Sequence, residues 1–198
     1  HEGTNFVLIA IPMFVLMGEI LLRAGIADRL YNALGVWMQG VPGELLHTNI
    51  FASAVFSATS GSSVATAATI GSVAMPSMTE RGYSQRLALG SIAAGGTLGI
   101  LIPPSINLVI FGAITNTSVG RLFAAGVIPG LALTALFILA IVIWNALDRS
   151  TGGRLRPPVP IVDRLRLLPD LLPVVVILFV VMGSLYSGFA TPTEAAAL

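Results

Sequence analysis

The segment 95-GGTLGILIPPSINLVIFG-112 constrains this chain most, because it lies in a run from Leu87 to Gly120 without one charged residue. Roughly 20 apolar residues cross the ~30 Å hydrocarbon core of a bilayer as a helix, and this run reads as such a helix. Yet its middle holds Gly95, Gly96, Gly99, Pro103 and Pro104. Unpaired backbone groups are costly in hydrocarbon, so irregular backbone persists there only where protein, ions or water satisfy it. A break at this depth must serve something.

Composition agrees that lipid is the main solvent. The chain has 198 residues, 55% hydrophobic and 10% charged, against about 25% charged in soluble domains. A net charge of +1 leaves no broad basic surface for nucleic acid. There are no cysteines, which excludes disulfides, thiolate metal sites and cysteine nucleophiles. All ten cations are arginines, so a P-loop lysine and a Schiff-base lysine are excluded too. No basic n-region opens the chain, and the start at His1 is expected to be that of a fragment or a processed protein.

Phe6 to Leu22 fits a first span, closed by Glu19 and Arg23 at i, i+4, where they can pair. Over residues 26–43, Leu30, Leu34, Trp37 and Val41 fall on one helical face and Asp28, Arg29, Asn32 and Gln39 elsewhere. That pattern predicts an amphipathic helix lying along the interface. Thr48 to Met78 is again free of charge but too long for one straight span at about 1.5 Å per residue. Its centre, 59-TSGSSVAT-66, favours turns and helix caps. Two half-length helices joined there make a re-entrant hairpin with both ends on one side. Residues 82–114 then cross once with the break, Leu122 to Leu147 cross cleanly, and Leu171 to Tyr186 cross back.

Between the last two spans, residues 148–170 form a polar, Pro-containing loop with Arg149, Arg154, Arg156, Arg164 and Arg166. If this loop is cytoplasmic, Arg23, Arg29, Arg81 and Arg86 fall on the same side, leaving only Arg121 outside. That distribution is what the positive-inside rule asks for, and it favours the hairpin over a full crossing. The loop is expected to be a solvated connector rather than a binding surface, with Arg154 and Arg156 dispensable for function.

Pro103 and Pro104 lack N–H groups and free carbonyls a turn earlier, around Gly99 and Ile100. The glycines are expected to let the backbone unwind and another element approach closely. Freed carbonyls at a half-helix C-terminus carry partial negative charge and suit Na⁺. The opposed half-helix N-termini, at Ser63 and after Pro104, point partial positive charge at an anion. No carboxylate lies between Thr48 and Thr79 or between Leu87 and Gly120, so any ion ligands there are neutral oxygens.

Other classes fit less well. A serine hydrolase needs a histidine within hydrogen-bond reach of its serine, and His1 and His47 both belong near interfaces. The carboxylates sit in loops or at span ends, so the chain is not expected to be an enzyme. An ion channel also uses unwound carbonyls, but commonly by repeating one filter symmetrically, whereas two dissimilar broken elements occur here. A Na⁺-coupled symporter of divalent anions is a further alternative.

Several segments closely resemble the large membrane subunit of TRAP transporters, the DctM type. They are 12-PMFVLMGEIL-21, 59-TSGSSVATAATIGSVAMPSM-78, 81-RGYSQRLALGS-91, 94-AGGTLGILIPPS-105, 118-SVGRLFAAGVIPG-130 and 190-ATPTEAAAL-198. The resemblance implies an all-α membrane protein of the bacterial inner membrane, half of an elevator-type transporter built from inverted repeats. It implies Na⁺-driven import, without ATP, of organic acids such as C4-dicarboxylates or sialic acid. The substrate would come from a periplasmic binding protein, and a small membrane subunit would complete the complex. Residues 1–47 would be scaffold and interfacial helix, 48–120 transport elements, and 121–198 scaffold. The substrate-binding candidates are Ser62, Ser63, Thr66, Pro104 and Ser105. The Na⁺ candidates are Ser60, Gly61, Ser62, Ser63, Gly95, Gly96, Thr97 and Gly99. The family's chains are longer, so a second repeat with its own hairpin is expected beyond this sequence. The family's first helix also has no counterpart here, and 41-VPGELLH-47 departs from a Gly-rich form.

Overall fold

A computed structural model describes the backbone of residues 2–148, 153, 156–195 and 197, with side chains from Ile9 onward. Its described residues form helices and connecting turns, without strands. Helix α1 (Glu2–Arg23) is followed by α2 (Ile26–Trp37), and Gly25 turns the corner in a left-handed conformation at φ 68°. The two helices are bent by 66°. Glu19 and Arg23 form their expected pair, 2.7 Å apart and exposed. α2 buries Ala27, Leu30, Tyr31 and Ala33 while Asp28, Arg29 and Asn32 face outward. It is shorter than its sequence pattern suggested. The chain turns after Trp37, so Val41 leaves the apolar face and is exposed.

Helices α3 (Glu44–Ser60) and α4 (Ser63–Glu80) form an antiparallel hairpin around Gly61 and Ser62. Two cross-arm contacts establish its register. The Asn49 Nδ2 lies 3.2 Å from the Met78 sulfur, and Arg81, just past α4, ion-pairs with Glu44, the first residue of α3. The two feet of the hairpin are therefore joined at one end. The polar tip is at the other.

The charge-free run that follows is α5 (Gln85–Leu101), an irregular stretch at Ile102–Ser105, and α6 (Ile106–Thr115). Helix α5 is regular through Gly95, Gly96 and Gly99, and the break comes only at the prolines. The expected unwinding at the glycines does not occur. Each of those helical carbonyls except Gly99's can still meet an i+4 N–H, because Pro103 is the first residue lacking one.

Helix α7 (Val119–Leu147) is followed by a connector, the short α8 (Ile161–Arg166), α9 (Leu168–Tyr186) and α10 (Pro192–Ala195). Among the described residues three stretches are long and apolar enough to cross a membrane, Gln85–Thr115, Val119–Leu147 and Leu168–Tyr186, and Ile9–Arg23 passes only together with Ile26–Trp37 as a bent pair. Of the broken one 44% is buried inside the protein, against 17% and 11% of the other two. The helix with irregular backbone is thus the one shielded from lipid, as the cost of unpaired groups demands. α7 and α9 instead turn Ile128, Leu131 and Phe179 outward.

Two apolar cores hold the helices. One joins the hairpin, α2, α5 and α9 through Leu30, Leu45, Phe56, Ile70, Met78, Ile92 and Val174. The other joins α1, α6, α7 and α9 through Phe14, Val109, Phe123 and Val181. A buried polar chain reinforces the first: the Tyr31 hydroxyl donates to Asn49 Oδ1 at 2.7 Å, and Asn49 Nδ2 donates to Ser91 Oγ at 2.8 Å. The Tyr83 hydroxyl accepts the Leu45 N–H at 3.2 Å. Burial raises both phenols above their ordinary range, so each stays protonated at neutral pH.

The described part of the Arg-rich connector is largely exposed, as its composition suggested, but it is tied to the protein at Arg164. Arg164 donates to the carbonyls of Val159, Trp37 and Gln39, which places a cation at the C-terminal end of α2. The Arg156 N–H lies 3.4 Å from Glu44 Oε2. Arg149 and Arg154 lie outside the described residues.

Two outcomes follow. Single cysteines at Val41 and Thr79, both exposed, will label from the same side of the membrane, whereas Thr48 is too buried to probe. Labelling from opposite faces would show that α3 and α4 together cross. Arg81→Gln leaves a fully buried Glu44 without its cation and should cost about 3–5 kcal/mol. Thermal unfolding will show that loss, and adding Glu44→Gln will recover part of it.

Candidate functional site

Sequence puts Gly61 at the only place in the hairpin where the chain must reverse. Gly61 is left-handed at φ 62° and closes α3, its N–H donating to the Ser57 carbonyl at 2.9 Å. Ser62 then caps α4, its Oγ accepting the Ala65 N–H at 3.3 Å. Thr66 locks the turn from one helical turn further on. Its hydroxyl donates to the Ser62 carbonyl at 2.7 Å and lies 3.0 Å from Ser60 Oγ. Ser60 and Thr66 are both buried, as are Ser57 and Thr59 beside them.

This tip docks on the break. The Ile106 N–H, at the start of α6, donates to the Gly61 carbonyl at 3.0 Å. A Cβ on Gly61 would lie 2.9 Å from the Pro104 carbonyl oxygen, so glycine is required there for space as well as for φ. Ser105 is fully buried, and its hydroxyl donates to the Ile100 carbonyl at 2.7 Å, replacing the N–H that Pro104 lacks. The Gly61–Ser62 turn that leads into α4 therefore rests on the start of α6. Each helix start carries a partial positive charge, with the Ala65 and Ile106 N–H groups already taken by Ser62 Oγ and the Gly61 carbonyl.

The glycines of α5 serve this docking. A Cβ on Gly99 would meet Ser63 N at 2.9 Å and Ser62 C at 3.0 Å, and one on Gly96 would meet the Ala67 Cβ at 2.7 Å. One on Gly95 would meet Ser53 Oγ at 2.4 Å, on the other arm. The structure thus brings together Ser60, Gly61, Ser62, Ser63, Thr66, Gly99, Pro104 and Ser105, with Gly96 beside them. Gly95 sits farther down, against Asn49 and Ser53. Thr97 is exposed and its hydroxyl donates to the Ala94 carbonyl, away from the tip.

Some residues that build the site carry no chemical signal in the sequence. α7 backs the break with Gly126, whose Cβ would lie 2.6 Å from the Leu101 oxygen, and with Gly130 against Ile102. α1 passes the tip at Gly18, against Ser60. The signal that could find the α7 pair is its spacing, small residues four apart on an apolar helix, which lets helices approach closely. Among the described residues no group of three His, Cys, Asp or Glu side chains could hold a metal. Any cation at the tip would meet hydroxyl and carbonyl oxygens.

A polar hairpin seated on a shielded break, with lipid-facing spans around it, makes this an all-α integral membrane protein. Residues 3–198 match the model of the family described as Tripartite ATP-independent periplasmic transporter, DctM component, and the chain belongs to that family. It is 39% identical over its whole length to the C4-dicarboxylate TRAP transporter large permease protein DctM of Pseudomonas aeruginosa, covering 46% of that protein. It is 37% identical to the sialic acid TRAP transporter large permease protein SiaM of Vibrio cholerae, over 98% of this chain and 45% of that one. It is 35% identical to the isethionate TRAP transporter permease protein DctMQ of Oleidesulfovibrio alaskensis, over 98% of this chain and 30% of that one. The chain thus spans less than half the length of these relatives, which are named as permeases rather than enzymes. It is a multi-pass protein of the bacterial inner membrane.

The glycine contacts can be tested directly. Gly99→Ala forces a methyl against hairpin backbone that cannot rotate away, which should cost about 1–3 kcal/mol. Thermal unfolding will show the loss. Gly90→Ala, on the same helix with nothing within 4 Å, will raise stability by about 0.5–1 kcal/mol. Equal behaviour of the two would mean that α5 does not seat the hairpin.

Proposed function

We propose that this chain supplies one hairpin and one broken helix of a Na⁺-driven permease that imports small organic acids. The observation that carries the reading is the Gly61 carbonyl bonded to the Ile106 N–H. It seats the polar hairpin tip, with the hydroxyls of Ser60, Ser62 and Thr66, against the start of α6 in a largely apolar protein. The N-termini of α4 and α6 favour an anion such as a carboxylate. Ser62, Ser63, Thr66, Pro104 and Ser105 form this wall of the substrate site. The hydroxyls of Ser60, Ser62 and Ser63, with the carbonyls of Gly61 and Gly99, take the Na⁺. Na⁺ is a hard cation served by several oxygens, and neutral ligands hold it weakly enough to release it. Bound Na⁺ also offsets the charge of the incoming anion.

The family's inverted-repeat construction implies that a second hairpin and broken helix complete the site. The chain's division into scaffold (1–47 and 121–198) and transport elements (48–120) follows from the same reading. The hairpin and α5 form the part that moves, and α7 and α9 the part that faces lipid. The named relatives act on C4-dicarboxylate, sialic acid and isethionate, all anions, and this supports an organic anion as cargo. A small membrane subunit and a periplasmic binding protein are the expected partners, and the name DctMQ of one relative supports the first.

Reconstituted in proteoliposomes with its partners, the permease will require a Na⁺ gradient and the binding protein for uptake. Ser63→Ala, or Ser60→Ala with Ser63→Ala, will raise the half-saturating Na⁺ concentration at unchanged expression. One lost ligand to a buried charge is worth about 1–3 kcal/mol. Ser62→Ala also removes a helix cap worth about 1 kcal/mol, so its effect must be read against stability measured without Na⁺. If all three alanines leave Na⁺ dependence where it was, the serines only cap helices. Uptake without the binding protein would instead favour a simple symporter.

A further inference from the structure

At the end of the molecule opposite the hairpin tip, a cavity of about 90 Å³ opens between α2, the hairpin feet and the connector before α8. Asn32 and Gln39 line it from the α2 side, Ser77 and Arg81 from the end of α4, and Arg156 from the connector. Every one of these side chains can donate a hydrogen bond, and among the described residues no carboxylate lines the cavity. Glu44, the carboxylate that pairs with Arg81, is fully buried and already takes both the Arg81 Nη1 and the Arg156 N–H. Arg81 keeps its remaining guanidinium N–H groups, and the side chain of Arg156 is not used by that contact. The lining therefore carries an excess of positive charge and of donors.

The depth of the cavity follows from its neighbours. Glu44, Arg81, Arg156 and Arg164 gather at this end, and such charges do not settle at the hydrocarbon centre. α2 turns Asp28, Arg29 and Asn32 outward beside them. The cavity therefore opens at the level of lipid headgroups, where basic pockets between helices select phosphate-bearing lipids. Its volume admits a headgroup phosphate and no acyl chain.

We propose that this cavity binds a phosphate group, that of an anionic phospholipid or free phosphate, through Arg156, Arg81 and the Asn32 and Gln39 amides. A bound phosphate would add a polar link between α2, the hairpin foot and the connector, beside the ones that Tyr31, Glu44 and Arg164 make. Phosphatidylcholine is disfavoured, because its choline cation would meet two arginines.

The test is thermal stability of the permease carrying this chain, purified in neutral detergent and titrated with phosphatidylglycerol, phosphatidylcholine or inorganic phosphate. Phosphatidylglycerol should raise the melting temperature and phosphatidylcholine should not. Arg156→Gln, which keeps the backbone contact to Glu44, should weaken the apparent affinity about tenfold, the loss of one charge-assisted contact. Asn32→Leu at the rim should do the same without changing charge. Arg86→Gln, exposed and outside the cavity, should change nothing. Stabilisation by inorganic phosphate that is equally sensitive to Arg156→Gln assigns the site to a soluble anion. Stabilisation alone by phosphatidylglycerol assigns it to lipid. Equal responses to both lipids, equal losses in Arg156→Gln and Arg86→Gln, or no response to any phosphate overturn the proposal. Na⁺-dependent uptake is read separately, so failure here leaves the transport reading standing.

Discussion

Everything near the break depends on one constraint: backbone in hydrocarbon must be satisfied by something other than water. The double proline denies α5 its last two ladder bonds, at the carbonyls of Gly99 and Ile100. The protein answers the second with the Ser105 hydroxyl. It answers an orphan donor at the start of α6 with the carbonyl of Gly61. The hairpin tip is thus both a neighbour of the break and part of its hydrogen bonding. Moving the tip away would leave the Ile106 N–H and the Gly61 carbonyl unpaired, each costing about 1–3 kcal/mol if buried. Hairpin and broken helix are therefore held together as one packed unit.

The same constraint explains where the small residues lie. Gly95, Gly96 and Gly99 face the two hairpin arms, and Gly126 and Gly130 let α7 close on Leu101 and Ile102 from another direction. In lipid there is no hydrophobic gain in bringing helices together, so close van der Waals packing has to supply the attraction. Packing on backbone also needs no side-chain ordering, which lowers its entropic cost.

The break itself was legible, because proline lacks an N–H wherever it occurs. The hairpin was legible too, from a charge-free run too long for one helix with a serine-rich centre. The role of the α5 glycines was not separable from sequence, since a glycine that unwinds and a glycine that lets a neighbour approach look identical. Glu44 reads as an ordinary span-end carboxylate, and only the fold brings Arg81 and the Arg156 backbone to it. Arg164 could be counted toward topology but not assigned to the carbonyls of Trp37 and Gln39, which lie more than a hundred residues earlier. Local chemistry was readable. Pairing across the chain was not.

The hairpin then resolves into two ends with opposite electrostatic designs. At its foot, full charges compensate one another where water and headgroups can screen what remains. At its tip only partial charges appear, from helix ends, hydroxyls and carbonyls. Between them α3 carries Asn49, Ser53, Ser57 and Ser60 at helical spacing, all buried. Three of these hydroxyls and amides find partners, while Ser53 Oγ has none among the described residues and stands where a Cβ on Gly95 would be. A polar seam therefore runs inside an element whose outer faces are apolar. The tip carries no full charge, so hydroxyls, carbonyls and helix ends supply all of its polarity. A foot made of the same neutral groups would lack the ion pair that fixes the hairpin's two ends to each other.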